Sequence, residues 1–225
     1  MKTILITGIG RGIGKALAEK FLAEGYFVIG TYFSKPLSYT HENLLSYKLD
    51  LSSAENIETC SKEILETKRK IDILINNAGV LEDEDETQVI VEKLRKTLEV
   101  NLIGTIDFTE HIIPLLNKGG HIINISSTAS SLEMTGFAVA SHHPGYYPAY
   151  KISKTALNMY TRTLAMRLHE NSITVSSVHP GWVKTDMGGL EADITPEEAA
   201  KNIYNLAISE PETGQFWFNG EKLPW

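Results

Sequence analysis

Tyr150 and Lys154 stand four residues apart in Tyr150-Lys151-Ile152-Ser153-Lys154, just after Pro148 and within a long apolar-periodic stretch. On a helix this spacing puts a phenol and an ammonium on one face, a turn apart. A free tyrosine titrates near pH ~10 and is a poor acid–base group at neutral pH, but a fixed cation favours the phenolate and lowers that value. Such a pair could exchange a proton with a reacting oxygen. Tyr and Lys also meet at this spacing on many solvated helices, so the pair needs companions. A second pair, Tyr147 and Lys151, overlaps the first. Pro148 separates them, because the residue before a proline is pushed toward extended backbone while the proline itself suits a helix's first turn. Tyr147 is therefore expected outside the helix in extended geometry, and Tyr150 inside it.

A second constellation is Thr7-Gly8-Ile9-Gly10-Arg11-Gly12-Ile13-Gly14, which follows an apolar run and opens a helical pattern. Glycines let backbone N–H groups approach a pyrophosphate, and a helix N-terminus adds its positive end. Two familiar loops fail here. A Walker A loop ending at Gly14-Lys15 needs glycine at Ile9 and Ser or Thr at Ala16, and G-x-G-x-x-G after Gly8-x-Gly10 needs glycine at Ile13. What stands is T-G-x-x-x-G-x-G, carried by Gly8, Gly12 and Gly14. The next apolar run ends in Thr31-Tyr32-Phe33-Ser34-Lys35, with no acid before Glu42 to hold a ribose 2′-hydroxyl. Arg11, Ser34 and Lys35 suit a 2′-phosphate instead, so NADP(H) is preferred, with NAD(H) as the alternative.

The elements that must position these residues are short Ile- and Val-rich runs alternating with helical patterns. The runs are Ile4–Thr7, Tyr26–Gly30, Ser46–Leu49, Ile71–Ile75, His121–Ser126, Thr174–Val178 and Gln215–Phe218. Helical periodicity covers Ile13–Ala23, Ala54–Lys68, Thr87–Leu98, Gly104–Leu116, Ala149–His169 and Pro196–Ala207. Continuous apolar strands alternating with helices predict a parallel sheet covered on both faces, with ligands beyond the strands' carboxyl ends. Thr31 to Leu45 lacks helical periodicity, so that crossover is expected to be a loop or a single turn.

Composition bounds the rest. At 225 residues, without linker or repeat, the chain is expected to form one domain over 1–225. A formal charge of −7 argues against nucleic acid as a partner. No apolar run approaches the ~20 residues needed to span a bilayer, and the first strand is too short for a secretory leader. Cys60 is the only cysteine, which excludes a disulfide framework or a cysteine metal cluster and points to a reducing cytoplasm.

Further motifs complete the pattern. The chain resembles the short-chain dehydrogenases/reductases along essentially its whole length, and the resemblance implies a single-domain α/β Rossmann-like fold. This is a doubly wound parallel sheet of about seven strands with helices on both faces. The Thr7–Gly14 turn, Ile13 included, resembles the family's pyrophosphate loop. Asp50-Leu51 matches the adenine-binding acid and its neighbour, and Asn76-Asn77-Ala78-Gly79 matches N-N-A-G along the adenosine ribose. Asn101 matches the asparagine of a proton-relay water, Ser127 in Ile123-Asn124-Ile125-Ser126-Ser127 the catalytic serine, and Tyr150 and Lys154 the Y-x-x-x-K pair. Pro180, Gly181, Val183 and Thr185 fall in the segment that clasps the nicotinamide, where Tyr150 and Lys154 also touch the cofactor. The His179–Gly189 stretch and the Leu223-Pro224-Trp225 ending look like the C-factor/sniffer-type carbonyl reductases.

The resemblance implies an NADPH-dependent oxidoreductase that transfers hydride to an aldehyde or ketone, with Tyr150 as general acid. It also implies a small-molecule carbonyl substrate and a homodimer, with no metal. The rival is a cofactor-binding regulatory or scaffold protein of the same fold, against which Asn101, Ser127, Tyr150 and Lys154 together count. Three segments depart from the common pattern. The 23-residue step from Ser127 to Tyr150 exceeds the family's usual dozen or so, and its Leu132–Tyr147 segment carries His142, His143, Tyr146 and Tyr147. This suits a flap or a subunit contact better than a metal site, and some monomeric carbonyl reductases carry a longer insertion here, which weighs against the dimer. The run Glu82-Asp83-Glu84-Asp85-Glu86 reads as a solvated linker, and Gly188–Thr195 as a short substrate loop.

Overall fold

The computed structural model describes residues 1–135 and 146–225. His142 and His143, and with them most of the proposed flap, lie outside the described residues. The strands are β1 Thr3–Ile6, β2 Phe27–Tyr32, β3 Leu44–Lys48, β4 Ile71–Asn76, β5 Leu116–Ile125, β6 Thr174–Val178, β7 Gln215–Phe218 and β8 Glu221–Leu223. The α-helices are α1 Gly12–Ala23, α2 Ala54–Glu66, α3 Val91–Leu98, α4 Thr105–Ile112, α5 Pro148–Leu168 and α6 Pro196–Ile208, with a π-helical stretch at Glu99–Gly104 joining α3 to α4.

All strands form one sheet in the order β3-β2-β1-β4-β5-β6-β7-β8, parallel except for β8, which pairs antiparallel with β7. The expected fold is present, with an eighth strand beyond the seven runs read from the sequence. That strand reads Glu221-Lys222-Leu223, too short and too charged to register as an apolar run. The predicted thin crossover is also found: β2 passes to β3 without a helix.

Alternation within the strands builds two cores, because successive side chains point to opposite faces. Leu5, Ile29 and Leu74 enter a cluster with Ile57 and Cys60 of α2, Phe108 of α4 and Leu164 of α5. Ile4, Ile6, Ile73 and Ile75 enter the other, with Leu17 and Phe21 of α1 and Ile203 of α6. Strand order reverses between β1 and β4, and the crevice at such a reversal is where open α/β sheets bind their ligands.

Candidate active site

The glycine loop joins β1 to α1 at that reversal. Gly8 and Gly12 adopt φ of 74° and 52°, in the left-handed region that favours glycine. Gly14 is required for space, since a Cβ there would lie 2.1 Å from the Gly8 carbonyl oxygen. Gly10 meets neither demand, in keeping with the T-G-x-x-x-G-x-G reading. The loop is tied to the end of β4: Thr7 Oγ1 accepts from the backbone N–H groups of Asn77 and Ala78, both at 3.0 Å, and Asn77 Nδ2 donates to Thr7 O at 2.9 Å. Ile9 is fully buried, and Gly30 of β2 leaves room for it. No side chain caps α1, and its first turn holds no acid. The cradle therefore fits a phosphate, with backbone donors and the positive helix end facing one crevice.

Beside it, a cavity of about 390 Å³ is lined by Phe33, Ser34, Lys48, Asp50, Ser53 and Asn56. Asp50 Oδ1 accepts from Ser52 N at 2.9 Å and from Ser52 Oγ at 2.6 Å. Of the residues expected here, Ser34 and Asp50 are in the wall. Its cation is Lys48, at the end of β3, rather than Lys35. Lys48 was legible in one respect: it lies two residues before Asp50, the strand spacing for one face. Arg11 is ion-paired with Asp186 in a fully exposed setting, their side chains 81% and 74% accessible. Leu51 is buried instead of lining the cavity, and a Cβ on Gly104 would lie 1.8 Å from its carbonyl oxygen.

The Tyr–Lys end is set by α5. Lys154 is 4% exposed, its Nζ donating to Ile125 O at 2.8 Å and lying 5.7 Å from the Tyr150 ring centroid. The Tyr150 phenol neighbours the side chain of Ser127, whose Oγ accepts from Ala129 N at 3.2 Å. Burial pushes Lys154 down to about 8. Burial likewise pushes Tyr150 up to about 12, against the Ser127 hydrogen bond that lowers it. The lowered phenol value expected of the Tyr–Lys pair is not found here, because desolvation disfavours the phenolate more than Ser127 favours it.

Asn101 lies in the π-helical stretch, a distortion often found at functional sites. Its Oδ1 accepts from Val80 N at 2.7 Å, while its Nδ2 donates to Val80 O at 2.9 Å and Ser153 Oγ at 3.1 Å. The side chain thereby braces the loop at Gly79, where a Cβ would stand 3.5 Å from Lys154 Nζ. Across the crevice Pro180 leads into Gly181, at φ 92°, and Val183 is buried. Thr185 approaches the glycine loop so closely that a Cβ on Gly12 would meet its Cγ2 at 3.2 Å. The Trp182–Ile194 loop closes on itself through Trp182 Nε1 to Gly188 O at 2.8 Å, leaving Trp182, Met187 and Leu190 exposed.

Two sequence expectations need correction. Tyr147 lies outside the helix as anticipated, but its backbone is left-handed (φ 61°, ψ 49°) rather than extended. Contacts with the acidic run accompany this geometry, since Tyr147 N donates to Glu86 O at 3.3 Å and the phenol to Asp85 Oδ1 at 3.4 Å. That run is not a free linker either. Asp83 is only 6% exposed, accepting from Ala149 N at 3.3 Å and Tyr150 N at 2.8 Å.

A family model described as short chain dehydrogenase matches residues 2–195. The chain belongs to that family. Carbonyl reductase Sniffer of D. melanogaster superposes with a TM-score of 0.89 at 28% identity, covering all of both chains. An NADPH-bound carbonyl reductase from chicken fatty liver gives 0.86 at 27%, covering 100% of this chain and 99% of that one. A 3-oxoacyl-[acyl-carrier-protein] reductase of Aquifex aeolicus is 32% identical over 94% of this chain and 86% of its own length. This short-chain dehydrogenase is accordingly an NAD(P)(H)-dependent oxidoreductase, similar in structure to carbonyl reductases.

Proposed function

We propose that the protein reduces aldehydes or ketones with NADPH and that Tyr150 is the general acid. The observation that carries this reading is the convergence of Tyr150, Ser127 and a buried Lys154, whose Nζ lies 5.7 Å from the Tyr150 ring, in the crevice shared with the glycine loop. The bound cofactor supplies the hydride. The chain's own residues handle the oxygen and its proton. A phenol raised to about 12 by burial carries the proton to be donated at neutral pH but is a weaker acid than free tyrosine, so the donation relies on its placement beside Ser127 and on charge developing on the substrate oxygen. Lys154, desolvated and one helical turn from Tyr150, stabilises negative charge as it grows on the substrate oxygen. Asn101 holds Val80 and Ser153 in place and would support a water relay toward Lys154.

Gly8, Gly12, Ile13 and Gly14 would present backbone to the pyrophosphate. Asp50 would meet the adenine, with Leu51 supporting it from the core, and Asn77, Ala78 and Gly79 would border the ribose. Pro180, Gly181, Val183 and Thr185 would close on the nicotinamide. For the 2′-phosphate, Ser34 and Lys48 line the adjacent cavity, and Lys35 follows Ser34 in the chain as an exposed residue. That cation content supports NADPH over NADH.

The exposed apolar surface of Trp182, Met187 and Leu190 suits a substrate with an apolar body. An NADPH-consumption screen over aldehydes, ketones and quinones tests the reading. Tyr150→Phe is expected to remove ~10²–10⁴ of kcat while NADPH binding, followed by nicotinamide fluorescence, stays nearly intact. Loss of activity in Tyr147→Phe instead would refute the assignment, and equal or tighter NADH binding would overturn the cofactor preference.

A further inference from the structure

The start of α5 carries an unusual cap. A helix begins with amide groups that have no partner within it, and a side chain at the N-cap ordinarily accepts from one of them. Here the N-cap is Tyr147, whose side chain makes no capping bond. Pro148 has no N–H to satisfy, and Lys151 N already donates to Tyr147 O at 3.0 Å. The two remaining donors are Ala149 N and Tyr150 N, and the carboxylate of Asp83 accepts both, one on each oxygen. The cap thus comes from a residue 67 positions before Tyr150 in the sequence.

Its anion lies against the positive end of the longest helix, where a buried charge is well placed. Asp83 follows Asn77-Ala78-Gly79 by four residues, on a loop whose Val80 is gripped at both backbone atoms by Asn101. One segment, bonded at Val80 and at Asp83, therefore touches both the nucleotide crevice and the backbone of the proton donor.

We propose that Asp83 is a positioning residue for the proton donor: by holding the Ala149 and Tyr150 amides it fixes where the Tyr150 side chain leaves the helix, and so its contact with Ser127. The inference rests on the reading of Tyr150 as general acid. Misplacement of a reacting group by even an ångström is costly. Asp83→Ala should lower kcat by about 10–100-fold, with the KM for NADPH changed less than about twofold. Asp83→Asn, which keeps one acceptor oxygen, should fall in between.

A readout without turnover separates this role from simple stabilisation. In ¹³C-tyrosine spectra of the full chain, the Tyr150 signal is identified by its disappearance in Tyr150→Phe. In Asp83→Ala that signal should shift and broaden, and the Tyr150 amide should lose hydrogen-exchange protection while helix residues from Leu157 onward keep theirs. Should Asp83→Ala fail to fold, Asp83→Asn carries the same measurements. An unmoved Tyr150 signal would overturn the proposal, as would a kcat equal to that of the wild type. Equal losses in kcat, cofactor affinity and global stability would also overturn it, by making Asp83 a fold determinant only. A wild type that turns over no carbonyl would sink the functional reading instead, and the spectra would still decide the role of Asp83.

Discussion

Lys154 and Tyr150 are displaced from their ordinary titration ranges in opposite directions by the same cause, burial. That has a consequence for pH dependence. Below about 8 the lysine is charged and the phenol protonated, the state carbonyl reduction requires. As pH rises, Lys154 loses its charge first, because its value lies near 8 and that of Tyr150 near 12. The kcat/KM for reduction should therefore be level toward neutrality and fall above about pH 8, by about tenfold per unit where one group governs. Lys154→Arg keeps its charge and should carry the falling limb upward by more than one unit. A profile flat to pH 10 in the wild type would contradict this ordering. Single residues differ in how readily the sequence discloses them. Gly8, Gly12 and Gly14 were legible because backbone geometry and crowding leave little choice of side chain. Lys48 was missed because its part comes from the cavity formed where β2, β3 and the start of α2 meet, which its two-residue spacing from Asp50 does not by itself disclose.

At the scale of elements, α5 presents Lys154, Asn158 and Thr161 to the sheet at helical spacing, and all three are buried. Asn158 accepts from Ser126 Oγ and donates to Ser130 Oγ, both at 2.7 Å. Thr161 bonds Asn124 Nδ2 at 2.9 Å and Ser177 Oγ at 2.8 Å. This ladder holds the helix in register with β5 and β6, directly below Ser127. Asn158→Ala should cost roughly 2–4 kcal/mol in urea unfolding, since it removes two buried hydrogen bonds and opens a cavity. Thr163→Ala, on the exposed side of the same helix, should change stability by less than about 0.5 kcal/mol. The body and start of α5 were readable from its periodicity and from Pro148. Its cap was not, because proximity of Asp83 in space is created by the β4 crossover rather than by any nearby residue. The π-helical stretch was hidden for a similar reason: the periodicity breaks between Leu98 and Gly104, and the widening there accompanies the inward Asn101 and the close approach of Gly104 to Leu51.

For the whole molecule, acid sensitivity follows from a residue remote from the chemistry. His121 lies buried in β5 with Nε2 2.9 Å from Ser176 Oγ, and burial lowers it from 6.5 to about 4. The folded state thus keeps the ring neutral while the unfolded chain protonates it below about 6.5. Its contribution to stability is complete above that pH and is lost as pH falls toward 4. The stability of the wild type relative to His121→Leu should fall by on the order of 3 kcal/mol between pH 7 and pH 4, as read by denaturant titration. An unchanged difference would assign acid lability elsewhere.

The bonds from Asn77 and Ala78 to Thr7 join parts of the chain 70 and 71 residues apart. Strands β1 to β3 pair among themselves using residues 3 to 48, so three of the eight strands can assemble before the phosphate cradle has its far wall. Distant pairings of this kind are slow to form. A nucleotide can grip only chains in which that late closure has occurred, so its presence during refolding would trap completed molecules and leave partly assembled ones behind.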